Sequence, residues 1–246
     1  MTLAPHGVAS HAPKVTLAPR RGTMEPVKGY REERVAPGVV LWRSDGAPGT
    51  ILPDGCLDLI WNGRGLVVAG PDAAARFNDG GGRTHVGLRF SHGRGPALLG
   101  LRADELRDTT ITLDTVWSAP AARELTERVA GDPAGVLRGV ATGTPPDAED
   151  RFGARVFAAL AQGTDVATLA DALGTTVRTL HRRSLPLFGY GPQHLGRILR
   201  LQRALARARA GIPWAEVAAT EGFADQPHLA REVRTLAGTT PTDLLR

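Results

Sequence analysis

Residues Val166 to Arg209 read VATLADALGTTVRTLHRRSLPLFGYGPQHLGRILRLQRALARAR, and the fold is decided there. Val166, Leu169, Ala170 and Leu173 recur at helical spacing and make one apolar stripe. Gly174 supplies the left-handed residue that ends this helix, and Thr175 or Thr176 can accept from the N–H groups that open the next one. In that second helix Val177, Leu180 and Ser184 are expected inward, which leaves Arg178, His181 and Arg182 outward at the i, i+3, i+4 spacing. Three donors on one helix face suit the major groove of DNA, where guanine offers two acceptors that an arginine bridges. The competing explanation is a solvated basic face on an ordinary helical domain.

A second copy of the pattern weighs against that explanation. From Ile212 the chain reads IPWAEVAATEGFADQPHLAREVRTLAGTTPTDLLR: a short helix with Val217 and Ala218 inward, a turn at Gly222-Phe223, and another capped helix. Asp225 is the expected N-cap, and Pro227 sits in the first turn, where a missing N–H does no harm. Leu229, Val233 and Leu236 form the inward row, so Gln226, His228, Arg231 and Arg234 point outward or end-on. Between the two units a continuous helix from about Pro192 to Arg209 would span roughly 27 Å at about 1.5 Å per residue. One turn of B-DNA is about 34 Å, so two reading heads on such a rod suit successive major grooves. Arg178, His181, Arg182, Gln226 and Arg231 are the expected base contacts, and Thr176, Arg203, Arg207, His228 and Arg234 the expected phosphate contacts.

The segment from about Phe152 to Arg246 resembles the DNA-binding domain of AraC/XylS-family transcription regulators. LADALGTTVRTLHRR, FGYGPQHLGRILRLQRAL and VAATEGFADQPHLAREVRTLAGTTP carry the resemblance. It implies base contact from the positions that fall here on Arg178, His181 and Arg182, and in the second head on Gln226, Pro227 and Arg231. Proline cannot donate, so reading by the second head would rest on Gln226 and Arg231. Ser184 and Val233 stand where the family usually has large apolar or aromatic side chains, and Pro186 is expected to shorten its helix.

Charge follows the same division. Residues 151–246 hold thirteen arginines and no lysine against seven acidic residues, a net +6, and the other 150 residues net −1. That imbalance favours a polyanion and implies salt-dependent binding. The single cysteine excludes an internal disulfide framework and suits a reducing cytoplasm. No eighteen-residue apolar run or signal-type segment is present, so no membrane partner is expected and a cytoplasmic location is. Residues 1–27, aperiodic and with prolines at 5, 13, 19 and 26, read as a disordered leader, and Met24 is a candidate alternative start.

The remainder reads as a regulatory domain over residues 28–142, a linker at 143–147 and the DNA-binding domain at 148–246, in an α+β chain. Val39 to Arg43, Thr50 to Leu52, Cys56 to Trp61, Leu66 to Ala69 and Thr84 to Phe90 are short strand candidates between Gly, Pro and Asp turns, which suggests a small antiparallel β-barrel or sandwich. Helices are expected at Ala103 to Leu106, near Ala119 to Val129, at Pro133 to Val140, and at Ala148 to Ala161. LPDGCLDLIW, VAGP and VGLRFSHGRGPALLGLRADELRD resemble the N-terminal domain of an actinobacterial subset of AraC-like regulators. The resemblance implies a cupin-like fold that binds an effector or mediates pairing.

Chemistry in this front half is sparse. Cys56 reads as a small buried hydrophobe or as a redox-sensing thiol. Arg89 alternates onto the face opposite Val86, Leu88 and Phe90; inside a barrel it would meet an anionic small-molecule effector, unless it is paired internally. His85, His92, Asp54 and Cys56 lack metal-ligand spacing, and no phosphate loop or nucleophile motif exists, so no metal, cofactor or enzyme activity is expected. Two readings remain. One is a regulator whose front domain senses a ligand or forms a homodimer; the other is an effector-independent DNA-binding protein whose front domain recruits a partner such as RNA polymerase.

Overall fold

The structure, a computed structural model, describes residues 29–143 and 145–245. The expected leader at 1–27 lies outside the described residues. The front half is an antiparallel sheet of β1 (Tyr30–Ala36), β2 (Val39–Ser44), β7 (His85–Phe90), β4 (Leu57–Trp61), β5 (Leu66–Ala69) and β8 (Thr110–Thr112), in that spatial order. A separate hairpin pairs β3 (Gly49–Ile51) with β6 (Arg76–Asn78). Among the described residues the pairing does not close into a barrel, since β1 and β8 remain edges.

Register fixes the two faces of the sheet. Val39, Leu41, Leu57, Leu59, Leu66, Val68, Val86, Leu88 and Phe90 share one face and one core. Helices α2 (Ala119–Gly131) and α3 (Pro133–Thr142) pack on it through Ala122, Leu125, Val129 and Leu137. The other face carries Tyr30, Trp42, Ile60, Val67 and Ala69, with Asp58, His85 and Arg89 in the same alternation. Trp42 lies flat against Gly87, where a Cβ would meet the indole at 2.5 Å. The hairpin turns Ile51 and Asn78 inward and leaves Phe77 outside, 68% exposed. Strand β1 and the helix α1 (Arg94–Leu99) did not stand out in the sequence, for β1 reads YREERVA and exposes Arg31 to Arg34.

The back half is helical: α4 (Ala148–Ala161), α5 (Val166–Ala172), α6 (Val177–Phe188), α7 (Pro192–Arg209), α8 (Trp214–Thr220) and α9 (Gln226–Ala237). The apolar stripes meet in one core that includes Leu169, Leu180, Leu195, Ile198, Leu205, Val217, Leu229 and Val233. Pro186 does not shorten α6, which continues to Phe188 and stops at the left-handed Gly189. Val177, expected inward, is 43% exposed at the first turn.

The two halves share side chains across their junction. Leu52 belongs to the helical core, Gln202 donates to the Pro53 carbonyl at 2.6 Å, and Arg94 of α1 forms a buried ion pair with Asp150 of α4. Both α6 and α9 touch the front half. Gly189 abuts Pro71, and the Leu236 carbonyl accepts from the Ala75 N–H at 2.7 Å.

Candidate nucleic-acid interface

Helix α6 begins where its sequence dictates. Thr176 is extended, and its hydroxyl accepts from the Thr179 N–H at 3.2 Å, which makes it the N-cap and commits that hydroxyl locally. Arg178, His181 and Arg182 are exposed on the far side from buried Leu180 and Ser184. Ser184 is tolerated in the core because its hydroxyl donates to the Leu180 carbonyl at 2.8 Å. His181 leans over the turn into α7: a Cβ on Gly191 would fall 2.3 Å from its ring.

Helix α9 repeats the device. Asp225 caps it by accepting from the His228 N–H, Pro227 occupies the first turn, and Gln226, Arg231 and Arg234 are exposed. His228 is half-buried; its Nδ1 accepts from the Ala224 N–H at 3.2 Å and its ring meets Phe223 edge-on, so it stitches the turn. None of Arg178, Arg182 and Arg231 forms an ion pair with a described residue.

Other arginines are tied to the protein itself. Arg203 Nε donates to Glu221 at 2.6 Å, and its Nη1 donates to the carbonyls of Leu160 and Ala161 at 3.2 and 3.1 Å. Protein acceptors therefore engage Arg203 through Nε and Nη1. Arg207 Nε donates to the same carboxylate at 2.5 Å with the side chain 46% exposed, so only part of it faces solvent. Arg197 bridges Glu232 with two bonds, 2.8 and 3.1 Å, and Arg200 stacks 4.4 Å over the Phe223 ring. Burial pushes the Glu232 carboxyl up, but the bonds and charges of Arg197 and Arg200 outweigh it and hold the group below the ordinary carboxylate range. Helical period shows which arginines face outward but not their acidic partners, Glu221 just after α8 and Glu232 on α9, which only the fold brings beside them.

In the front half Arg89 is 5% exposed among Asp54, Asp58 and Glu32, at 3.3, 3.3 and 3.4 Å. Asp58 also accepts from the Trp42 indole N–H at 2.9 Å. Burial raises Glu32 above the ordinary carboxylate range despite the opposing charge of Arg89. Three carboxyl groups thus surround one guanidinium, the internally paired arrangement that the alternation left open. Cys56 is buried, with its backbone N–H bonded to Asp54 at 2.9 Å and its thiol directed at the Asp54 carbonyl. Among the described residues no group of three or more His, Cys, Asp or Glu is placed to hold a metal ion.

Residues 169–246 match the family model described as a helix-turn-helix domain. The C-terminal part of the chain is a helix-turn-helix domain of the AraC type. A domain of this type supports a DNA-binding transcription regulator. Among solved structures, the chain is similar to ToxT from Vibrio cholerae at 1.65 Å, with 10% identity, a TM-score of 0.44, and coverage of 88% of this chain and 98% of that one. It is also similar to ToxT bound to (E)-4-(8-methylnaphthalen-1-yl)but-3-enoic acid, with 12% identity, TM-score 0.44, and coverage of 88% and 98%. Unsaturated fatty acid-bound ToxT gives 12% identity, TM-score 0.43, and coverage of 91% and 97%. No curated protein matches the chain. Among the described residues, no helix is long and apolar enough to cross a membrane.

Proposed function

We propose that the regulator reads double-stranded DNA in the cytoplasm with two heads on successive major grooves. In this reading α6 contacts bases through Arg178, His181 and Arg182, and α9 through Gln226 and Arg231, while Arg207, Arg234 and the N-terminal turns of both helices face phosphate. The observation that carries it is a contrast within one domain: Arg183, Arg197, Arg200 and Arg203 are held by acidic partners, whereas Arg178 and Arg182 of α6 and Arg231 and Arg234 of α9 pair with no described residue. The 18-residue α7 between the heads is roughly 27 Å long, a length that suits one turn of B-DNA.

Gel-shift titrations test the reading. Arg182→Ala and Arg231→Ala should each weaken binding to the cognate site by about 1–3 kcal/mol and relax preference at a particular base pair. Equal losses on cognate and scrambled DNA would overturn base reading by that residue.

The front domain, residues 28–142, modulates this binding by taking up a small molecule between the sheet and the β3–β6 hairpin. Support comes from Asn78, 1% exposed, whose carboxamide has no hydrogen-bond partner among the described residues, and from His85, 5% exposed, whose Nδ1 has none. A neutral or cationic effector fits the carboxylate-rich surroundings of Arg89 better than an anion does. Thermal-shift screening of the full chain should find compounds that raise the melting temperature and alter operator affinity. A compound-independent protein would instead favour a front domain that serves pairing or recruitment of RNA polymerase.

A further inference from the structure

One acidic side chain sits where the two heads meet their shared rod. Glu221 follows the last residue of α8 and precedes the Gly222 turn, and its side chain is 5% exposed. It accepts from Arg203 at 2.6 Å and from Arg207 at 2.5 Å, both on α7. The guanidinium of Arg203 also donates to the carbonyls of Leu160 and Ala161, in the last turn of α4, the helix that α5 and α7 pack against. A single side chain therefore joins the support of the first head to the turn of the second.

Attraction to DNA does not explain this carboxylate, since negative charge in a domain that binds a polyanion opposes binding. Net stability is also a weak explanation, because buried ion pairs do little better than well-packed apolar groups and are best attested as devices that fix registry. Geometry remains. A rigid guanidinium fork with three acceptors at set angles permits one arrangement of α4, α7 and α8.

We propose that Glu221, acting through Arg203, is a positioning residue that sets the placement of α9 relative to α6, and thereby the spacing between the two half-sites the protein accepts. The proposal rests on the two-head reading above. Its test is a selection with the full chain on a DNA library in which two half-sites are separated by spacers of varied length, together with titrations on each half-site alone. The unsubstituted protein should prefer one spacing.

Glu221→Gln keeps an acceptor but loses the charge. It should bind each half-site within about twofold of the unsubstituted protein, lose at least about tenfold on the paired site as simultaneous engagement fails, and accept a broader range of spacings. Arg203→Lys, which keeps the charge but not the fork, should broaden the spacing in the same way. Arg207→Gln, which leaves the link to α4 intact, should not. Unchanged spacing in Glu221→Gln, or half-site affinities that fall in parallel with the paired site, would overturn the proposal. Should Glu221→Gln fail to fold, Arg203→Lys decides by the same measurements. Absence of any spacing preference in the unsubstituted protein would instead sink the two-head reading itself.

Discussion

Arg89 owes its place to three carboxyl groups that the chain delivers from separate strands and turns. Glu32 lies on β1, Asp58 on β4, and Asp54 on the turn before it, so removing the guanidinium leaves buried negative charge without its counter-ion. Arg89→Leu should destabilise the front domain by about 3–5 kcal/mol, measured as a loss of unfolding free energy in urea. An unchanged midpoint would show that the carboxyl groups protonate at little cost. The alternation of β7 was readable in VGLRF and placed Arg89 on the correct face. Its partners were not readable, because Glu32 lies 57 positions away and only strand pairing brings it near. At the reading heads the outward direction of Arg178, Arg182 and Arg231 followed from helical period alone. The same period put Arg203 and Arg207 on a surface, and no periodicity could show that Glu221 waits there.

Secondary structure was most legible where caps and stripes agree. Helices α4 and α7 have the expected ends at Ala148, Ala161, Pro192 and Arg209, since proline, glycine and capping residues punctuate an amphipathic pattern. Short strands without that punctuation were harder. The three residues of β6 and the three of β8 carry too little alternation to register, and β1 is charged along its exposed length. Two predictions belong to this scale. Thr176→Ala and Asp225→Ala each remove an N-cap and should cost about 1 kcal/mol of stability by chemical denaturation. Pro186 lies inside α6, where it withholds the N–H that would meet the Arg182 carbonyl; Pro186→Ala should raise stability by about 1–3 kcal/mol. A fall in stability on that substitution would mean that α6 depends on the bend.

The molecule as a whole couples its halves through half-buried histidines as well as apolar contacts. Burial lowers the proton affinity of His85, His92 and His194 below the ordinary imidazole value of 6.5, although Arg83 and Ala73 carbonyls oppose this at His85 and His194. His92 meets Phe157 edge-on across the junction, and His194 Nε2 donates to the Ala73 carbonyl at 3.1 Å. The unfolded chain therefore takes up protons more readily than the folded one. Stability from this source is complete above pH 6.5 and falls as the pH drops through the lowered native values. Melting temperature should decline between about pH 7 and pH 5, and His194→Gln, which retains a donor for Ala73, should make the decline shallower. A flat profile would mean that these rings titrate alike in both states.

Leu52 lies within the helical core, and Gly55 and Gly93 fit against Leu195 and Leu187, so packing runs on across the boundary that the sequence leads one to expect at 143–147. Exchange of front halves between relatives by recombination at that boundary would strand Phe157, Leu187 and Phe188 without their cover. Such chimaeras should precipitate unless the graft carries the matching 52–55 and 71–75 turns along with it, which makes this regulator a poor donor for modular shuffling and ties the inheritance of its two halves together.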